Sequence, residues 1–264
     1  MTMRLDNDDR PIGHVLTRRE TIALIGAVGL VACVPSALSG ATPTVSAAAT
    51  AAGTAVATTG GTVAVPSCVV RPALTEGPYF VDERLNRSDV RSDPSNNTIR
   101  AGTPLVLTFN VSKVGAGSCT AVANAQIDVW HCDAAGVYSD ATDPSFNTTG
   151  QKFLRGYQLT DATGRAAFTT IYPGWYQGRA VHIHFKIRVV ASAADGAASE
   201  FTSQLFFDDA MNAQVFATAP YSAKGAGWMK NAQDGIYTGG GDKLALKPTQ
   251  TSSGYTASFD IGLA

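Results

Sequence analysis

The chain has 264 residues, of which 45% are hydrophobic and 16% charged, and its formal net charge is -1. This composition is typical of globular proteins and excludes the disordered, collagen-like and multi-span membrane classes. A nearly balanced charge without a basic cluster also argues against a nucleic-acid-binding surface.

The N-terminal residues have the pattern of an export signal. Arg18 and Arg19 precede an apolar run from Ile22 to Ala32, and a basic lead before a short apolar core is typical of such signals. The paired arginines are similar to a twin-arginine signal, although Thr21 stands where a large apolar residue is usual. We therefore predict an export signal over residues 1–33 and a protein exported across the bacterial inner membrane, whether periplasmic, secreted or lipid-anchored.

Two processing sites remain open for this signal. Residues 30–33, LVAC, resemble a bacterial lipoprotein box, in which Cys33 would be lipidated and would tether the protein to a membrane. An ordinary small-residue cleavage site lies at residues 46–49. Residues 34–66 then form an Ala, Thr, Ser and Gly-rich stretch without charged or aromatic side chains. Such a stretch cannot bury enough surface to fold, so we predict a linker.

Residues 67–264 are enough for one domain with a hydrophobic core. They contain Cys68, Cys119 and Cys132. In an oxidising compartment two of these could pair, in any of three ways. None of them has the C-x-x-C spacing of a zinc site.

Runs rich in Val, Ile, Thr and Phe predict β-strands in this domain. The runs are PLVLTFNV (104–111), AQIDVWHCD (125–133), AAFTTIYP (166–173), HIHFKIRVV (182–190), SQLFFD (203–208) and YTASFDIGL (255–263). Turn sequences such as KVGAGS and DATGR separate them. The best helical candidate is residues 208–217. We predict an all-β fold, an antiparallel β-sandwich core with few short helices.

The segment PGWYQGRAVHIHF (173–185) contains two of the four histidines of the chain. Successive side chains of a strand point to opposite faces, so His182 and His184 share one face while Ile183 and Phe185 face the core. Two imidazoles at this spacing can converge on one ion. The same pattern also fits a polar strand face with two unrelated histidines, and the spacing alone does not decide.

Oxygen donors near the two histidines favour a metal site. A cupin-type carboxylate ligand is disfavoured because the positions after the pair hold Ile187 and Arg188. The nearby donors are the phenols Tyr138, Tyr172 and Tyr176. A phenol, with a free pKa of about 10, binds a metal well only when a strongly charged, hard cation ionises it. Ferric iron accepts both hard oxygen and imidazole ligands, so two Tyr and two His predict a ferric site.

Four blocks of the sequence resemble the intradiol ring-cleavage dioxygenases, the family that includes protocatechuate 3,4-dioxygenase and catechol 1,2-dioxygenase. They are TEGPYF (75–80), DVWHCDAAGVYSD (128–140), FLRGYQLTDATGRAAFTTIYPGWYQGRAVHIHF (153–185) and SQLFF (203–207). The resemblance extends from about residue 68 to residue 237. The helical segment that usually precedes the core in members acting on plain catechol has no room before Thr75, so the chain is similar to an exported subfamily.

The resemblance implies the roles of individual residues. It implies an Fe(3+) cofactor with Tyr138 and Tyr176 as tyrosinate ligands and His182 and His184 as imidazole ligands. Arg179 would stabilise negative charge that develops on the substrate, and Tyr176 would also act as a base. The implied substrate-binding residues are Thr75, Gly77, Pro78, Tyr79 and Gln204, the last of which is also expected to contact Arg179.

The resemblance further implies a reaction between a small aromatic diol and O2. Both oxygen atoms would be inserted, and the ring of a catechol would be cleaved between its hydroxylated carbons to a muconate-type diacid. Two other functions remain open: an exported binding module for aromatics or polysaccharide, and a structural cell-surface domain. Both would function without a metal, so the iron content separates them from the enzyme.

Overall fold

The computed structural model describes residues 69–115, 117–191 and 198–264. The predicted export signal, Cys33, the linker and Cys68 lie outside these residues. Cys119 is disulfide-bonded, whereas Cys132 is a buried free thiol. The two alternative pairings that use Cys132 are therefore excluded. Within the described ranges, no helix is long and apolar enough to cross a membrane.

Strands make up most of the regular structure. They are β1 Pro104–Gly115, β2 Ser118–Ala121, β3 Gln126–Trp130, β4 Thr142–Asp143, β5 Phe146–Asn147, β6 Arg155–Leu159, β7 Arg165–Ile171, β8 His182–Val189, β9 Ser199–Phe206, β10 Thr249–Gln250 and β11 Tyr255–Leu263. All six predicted runs contain or overlap one of these strands. The all-β prediction is confirmed.

Two sheets carry the fold. In the first, β1 pairs in parallel with β11, and antiparallel with β7 along its first half and with β2 along its second half. The second sheet has the order β6-β3-β8-β9 and is antiparallel. The core lies between the sheets, where the ring of Phe185 on β8 packs 5.3 Å from that of Phe109 on β1 and 5.5 Å from that of Phe259 on β11.

The helices are short and lie in the C-terminal part of the described chain. They are α1 Asp209–Phe216, α2 Gly235–Thr238 and the 3-10 turns Tyr221–Lys224, Asn231–Gln233 and Gly241–Leu244. The helix predicted within residues 208–217 is confirmed. Asp208 caps α1, since its carboxylate accepts from the backbone N–H groups of Ala210 and Met211. Asp234 caps α2 in the same way.

A row of four buried side chains crosses the face of the second sheet that points away from the core. Trp130 on β3 pairs with Arg155 on β6 and with His184 on β8, and His184 pairs with Gln204 on β9. Residues directly opposite each other in neighbouring strands point to the same face. This cross-sheet row has one residue on each of the four strands and contains one predicted ligand, His184. Despite the connection ASAADGAAS (191–199) between β8 and β9, Gln204 pairs with His184.

A strap of residues 75–82 covers this outer face. Its residue Glu76 pairs with Lys186 of β8, and the ring of Phe80 packs 4.8 Å from that of Trp130. An antiparallel sheet commonly exposes one face to water. Here the strap covers that face at the cross-sheet row. Side chains that would otherwise lie on a sheet surface are therefore buried beneath the strap.

Candidate metal centre and active site

Four predicted ligands meet at one point. His182 Nε2 lies 2.9 Å from His184 Nε2, 3.2 Å from Tyr176 Oη and 3.5 Å from Tyr138 Oη. The side chains of Tyr138, His182 and His184 are buried, and that of Tyr176 is partly exposed. Two nitrogen and two oxygen donors therefore share a centre although they come from β8 and two different loops.

The imidazole orientations suit metal coordination. His182 Nδ1 lies 2.6 Å from the carbonyl oxygen of Ala180; it therefore carries the proton and donates it, which leaves the lone pair of Nε2 directed at the centre. Ligand atoms about 2.1 Å from one ion and at right angles stand about 3 Å apart, which matches the separation of the two Nε2 atoms. Without a cation or a proton between them, two such lone pairs would repel.

The ring of His184 is held by packing contacts. It stacks on Trp130 with a centroid distance of 5.0 Å and an interplanar angle of 7°. The strap also approaches the ring closely, because a Cβ at Gly77 would lie only 3.1 Å from His184 Cε1. His184 Nδ1 is buried without a hydrogen-bond partner among the described residues. Packing, rather than hydrogen bonding, fixes this ring.

The loop before Tyr138 is shaped by a carboxylate. Asp133 Oδ1 accepts from the backbone N–H groups of Ala135 and Val137, both at 3.0 Å. Next to it, burial lowers the pKa of His131 to about 4, and its Nε2 lies 2.7 Å from Thr170 Oγ1. The histidine is therefore neutral at physiological pH and belongs to the support of the loop.

Burial controls the protonation of the four donors. It raises the pKa of Tyr138 and of Tyr176 well above the ordinary value of 10, and nearby Arg179 opposes this rise. Burial also lowers the pKa of His182 and of His184. The imidazoles are thus neutral, as ligands must be. The phenols stay protonated unless a cation stabilises their anions.

Arg179 is held beside the centre by two side chains. Its Nε donates to Asp234 Oδ2 at 3.0 Å, and its Nη2 donates to Gln204 Oε1 at 2.6 Å. Gln204 Nε2 in turn donates to the carbonyl oxygen of Thr75 at 2.8 Å. Gln204 is completely buried, so it contacts Arg179 and the strap rather than an open pocket.

Tyr79 brings the strap into the site. Its ring stacks on Tyr138 with centroids 4.3 Å apart, and its hydroxyl donates to Asp143 Oδ2 at 2.8 Å. Of the other predicted substrate-binding residues of the strap, Gly77 lies against His184. Thr75 Oγ1 accepts from the N–H of Gly77 at 3.2 Å, and Pro78 is exposed.

The third phenol that the sequence left open, Tyr172, lies in the core. Its hydroxyl donates to Asn212 Oδ1 at 2.6 Å, and its ring packs 4.4 Å from that of Phe207. In the described part of the chain, no three His, Cys, Asp or Glu side chains gather as a metal site. The donor set at His182 therefore depends on the oxygens of Tyr138 and Tyr176.

An open groove of about 780 Å³ leads to Tyr176. Its wall consists of Tyr79, Ala135, Gly136, Val137, Asp143, Pro144, Ser145, Phe146, Trp175, Tyr176, Gln177 and Lys224. Two of these residues are adjacent in sequence to the phenol donors, Val137 to Tyr138 and Trp175 to Tyr176. Of the four donors, Tyr176 lines the groove, so the groove meets the donor set at this residue.

Several residues of the site were not predicted. Asp234 and Lys224 follow the histidines by many residues and have no local pattern that marks them. Asp143 belongs to the two-residue strand β4. Arg155 lies within a recognised block, and its Nε donates to Ser139 Oγ at 2.7 Å, next to Tyr138. Burial lowers the pKa of Arg155, but nothing in the sequence places this arginine beside Ser139 and Tyr138.

Comparison with known proteins assigns the family. Residues 75–225 match a family model described as Dioxygenase, and this range contains the strap, all four donors and Gln204. The beta chain of protocatechuate 3,4-dioxygenase from Burkholderia cepacia is 32% identical over 142 residues. The chain belongs to the intradiol ring-cleavage dioxygenase family.

The intradiol dioxygenase fold is found in solved structures as well. An intradiol ring-cleavage dioxygenase from Tetranychus urticae superposes with a TM-score of 0.62 at 29% identity, over 75% of this chain and 94% of that one. The dioxygenase domain of a carbohydrate-binding protein fusion from Streptomyces sp. SirexAA-E gives 0.50 at 25% identity, over 74% and 98%. The match to the Burkholderia chain covers 49% of this chain and only 56% of that relative. The intradiol family model ends before Asp234, so the residue that holds Arg179 lies outside the matched region.

Proposed function

We propose that this member of the intradiol family is a non-haem Fe(3+) dioxygenase of catechol-type aromatics. In the reaction, the carbon–carbon bond between the two hydroxylated ring carbons breaks, and both atoms of O2 enter the product, a muconate-type diacid. Diol and O2 together contain all atoms and electrons of this product, so no further reductant is needed. The observation that carries the proposal is the gathering of Tyr138 Oη, Tyr176 Oη and His184 Nε2 within 3.5 Å of His182 Nε2.

The donor set fits a ferric ion. Imidazole and phenolate oxygen are ligands that Fe(3+) accepts together, and the raised pKa of the buried phenols means that a strongly charged cation is needed to ionise them. Held by Tyr138, Tyr176, His182 and His184, the ion would supply Lewis-acid chemistry, holding the diol and making its ring reactive toward O2. The chain itself supplies the proton acceptor and the charge complementarity.

Tyr176 and Arg179 are the residues that we assign to catalysis. Tyr176 is the donor that lines the groove, so its oxygen is placed to accept a proton from a substrate hydroxyl as general base. The Nε contact with Asp234 and the Nη2 contact with Gln204 hold the guanidinium group of Arg179 in a fixed position. Its positive charge stabilises the anion that the diol becomes and the negative charge that develops during cleavage.

Metal content, colour and oxygen consumption test the proposal. Iron-loaded protein should be reddish from tyrosinate-to-iron charge transfer and should consume O2 with catechol, protocatechuate, hydroxyquinol or a halogenated catechol. Tyr138→Phe and Tyr176→Phe should alter the colour. Tyr157→Phe, which removes a partly exposed phenol of β6, is the matched control and should keep both colour and activity. Iron-loaded protein that leaves O2 untouched with the whole panel would contradict the proposal, and so would a colour that neither ligand variant changes.

We also propose that the enzyme works outside the cytoplasm. The paired arginines of the predicted leader support this, since the twin-arginine route exports proteins already folded around a metal. The disulfide of Cys119 also supports it, because structural disulfides belong to oxidising compartments. Fractionation of cells that express the full chain, with mass spectrometry of the mature N-terminus, tests export and the alternative processing at Cys33 or residues 46–49. Recovery of the unprocessed chain in the cytoplasm alone would contradict it.

A further inference from the structure

The groove that leads to Tyr176 is larger than the proposed reaction requires. Cavities of about 300–1000 Å³ hold drug-sized ligands, and this groove measures about 780 Å³. A single dihydroxylated ring placed at the metal donors would fill only its inner end. The remaining volume is available to a part of the substrate that does not react.

Four of the twelve residues that line the groove are aromatic, and they come from separate segments. The strap contributes Tyr79, strand β5 contributes Phe146, and the loop before β8 contributes Trp175 and Tyr176. The rings of Tyr79 and Phe146 are 6.2 Å apart and inclined by 41°. Flat rings of this kind pack best against another aromatic group, in stacked or edge-to-face geometry.

The floor of the groove is fixed. Lys224 Nζ donates to the carbonyl oxygens of Ala135 and Trp175, both at 2.5 Å, and lies 4.5 Å from the centre of the Trp175 ring. At Gly136, a Cβ would come 2.1 Å from the same Trp175 oxygen. The two loops are therefore clamped together before a ligand arrives, and a preformed cavity binds without the cost of ordering its walls.

Given the proposed function, on which this inference rests, we propose that the groove binds a second planar aromatic group attached to the catechol ring. The preferred substrates are then aryl-substituted catechols. The reacting ring lies at Tyr176, and the second ring lies between Phe146 and Trp175. The contribution of the groove is binding, so it lowers KM more than it changes kcat.

The test compares catechol, 4-tert-butylcatechol and 4-phenylcatechol with the iron-loaded full chain. Burial of one more aromatic ring should raise kcat/KM for 4-phenylcatechol at least about tenfold over catechol, and the bulky but non-planar tert-butyl compound should gain less. Phe146→Ala, which removes a wall, and Ala135→Leu, which narrows the groove, should each reduce the ratio of the aryl substrate to catechol. Ile99→Ala, at an exposed apolar residue that does not line the groove, should leave the ratio unchanged.

Each outcome has a defined meaning. Equal kcat/KM for the three compounds overturns this inference and leaves the proposed function standing. An aryl preference that survives both groove variants overturns the placement of the second ring. If the protein turns over none of these three compounds and none of the wider panel, the proposed function is overturned together with the inference.

Discussion

Arg179 and Asp234 form an ion pair that a backbone hydrogen bond to the same carboxylate oxygen reinforces. Arg179 Nε donates to Asp234 Oδ2 at 3.0 Å, and the N–H of the following residue, Ala180, donates to the same oxygen at 2.8 Å. Asp234 Oδ1 meanwhile accepts from the N–H of Ile236 at 2.7 Å and caps α2. A single buried carboxylate therefore ties the side chain of Arg179 and the backbone of Ala180 to the N-terminus of α2.

Removal of Asp234 should thus misplace Arg179. We expect Asp234→Ala to lower kcat about tenfold to a hundredfold, because small displacements of catalytic groups have effects of this size. Steady-state kinetics that separate kcat from KM measure the effect. The matched control is Asp208→Ala, which removes the similar cap of α1. It should lower the free energy of unfolding by about 1 kcal/mol and leave kcat in place. Equal loss of kcat in the two variants would show that Asp234 is only a helix cap.

Iron should stabilise the folded chain. A ligand that binds only the native state at a hundredfold excess over its Kd adds about 2.7 kcal/mol to the free energy of unfolding. Thermal unfolding should therefore occur at a lower Tm after chelation, and addition of iron should restore it. His184→Ala removes one donor and should abolish most of the iron-dependent difference. A variant whose Tm still responds fully to iron would mean that the metal binds elsewhere.

Asp128 should destabilise the fold at neutral pH. Burial raises the pKa of this carboxyl to about 6, against the opposing charge of Arg188. Between its ordinary pKa and about 6 the folded state holds more protons than the unfolded state, so this contribution to stability is lost as the pH rises through that window and stays lost above it. The free energy of unfolding of Asp128→Asn, relative to the unmodified chain, should therefore be higher at pH 8 than at pH 4 by on the order of 1–3 kcal/mol. Chemical unfolding at the two pH values measures the difference.

A carboxylate with the opposite shift provides the comparison. The Thr163 hydroxyl and the Arg165 N–H hold the pKa of Asp161 below its ordinary value. Its contribution to stability is present above the unfolded pKa and is lost as the pH falls through the folded one. Asp161→Asn should accordingly be most harmful at high pH. If both variants respond to pH in the same direction, the assignment of the Asp128 effect to burial is wrong.

Substitutions at Gly136 and Gly150 distinguish the cost of backbone strain from the cost of steric crowding. Their φ angles are nearly the same, 82° and 83°, but only at Gly136 would a Cβ meet neighbouring atoms. Gly150→Ala should cost about 1–2 kcal/mol of unfolding free energy from the left-handed backbone alone. Gly136→Ala should cost more and should also lower kcat, because the crowded atom is the carbonyl oxygen next to Tyr176. Similar stability and activity in the two variants would contradict the clamp at Lys224.

The strands that the sequence predicts well are those with an apolar face. In β8 and β11 the alternation is regular, and the predicted runs coincide with the observed strands to within a residue. Strand β6 is not predicted by the sequence because its core-facing positions, which pair with Val129 and Ile127, hold Gly156 and Gln158 rather than apolar side chains. The two-residue strands β4, β5 and β10 are too short for any periodicity. They are defined by pairing with another strand, β4 with β5 and β10 with β11.

The site was predictable as far as strand alternation and the family blocks extend. His182 and His184 lie on one face as the spacing predicts, and the phenols named by the resemblance lie beside them. Tyr172 could not be separated from the other phenols by sequence distance, since its direction depends on the packing of the core. Asp234 follows Arg179 by 55 residues, and only the folded chain brings that carboxylate to the arginine.

The cross-sheet row makes the positions of His184 and Gln204 depend on strand pairing. A shift of β9 by one residue along β8 would turn the side chain of Gln204 toward the core and remove the partner of Arg179, because strand side chains alternate. An insertion or deletion inside either ladder would have the same effect, because it shifts the register of β8 against β3 or β9. Divergence or engineering must therefore preserve this register to keep Gln204 beside Arg179.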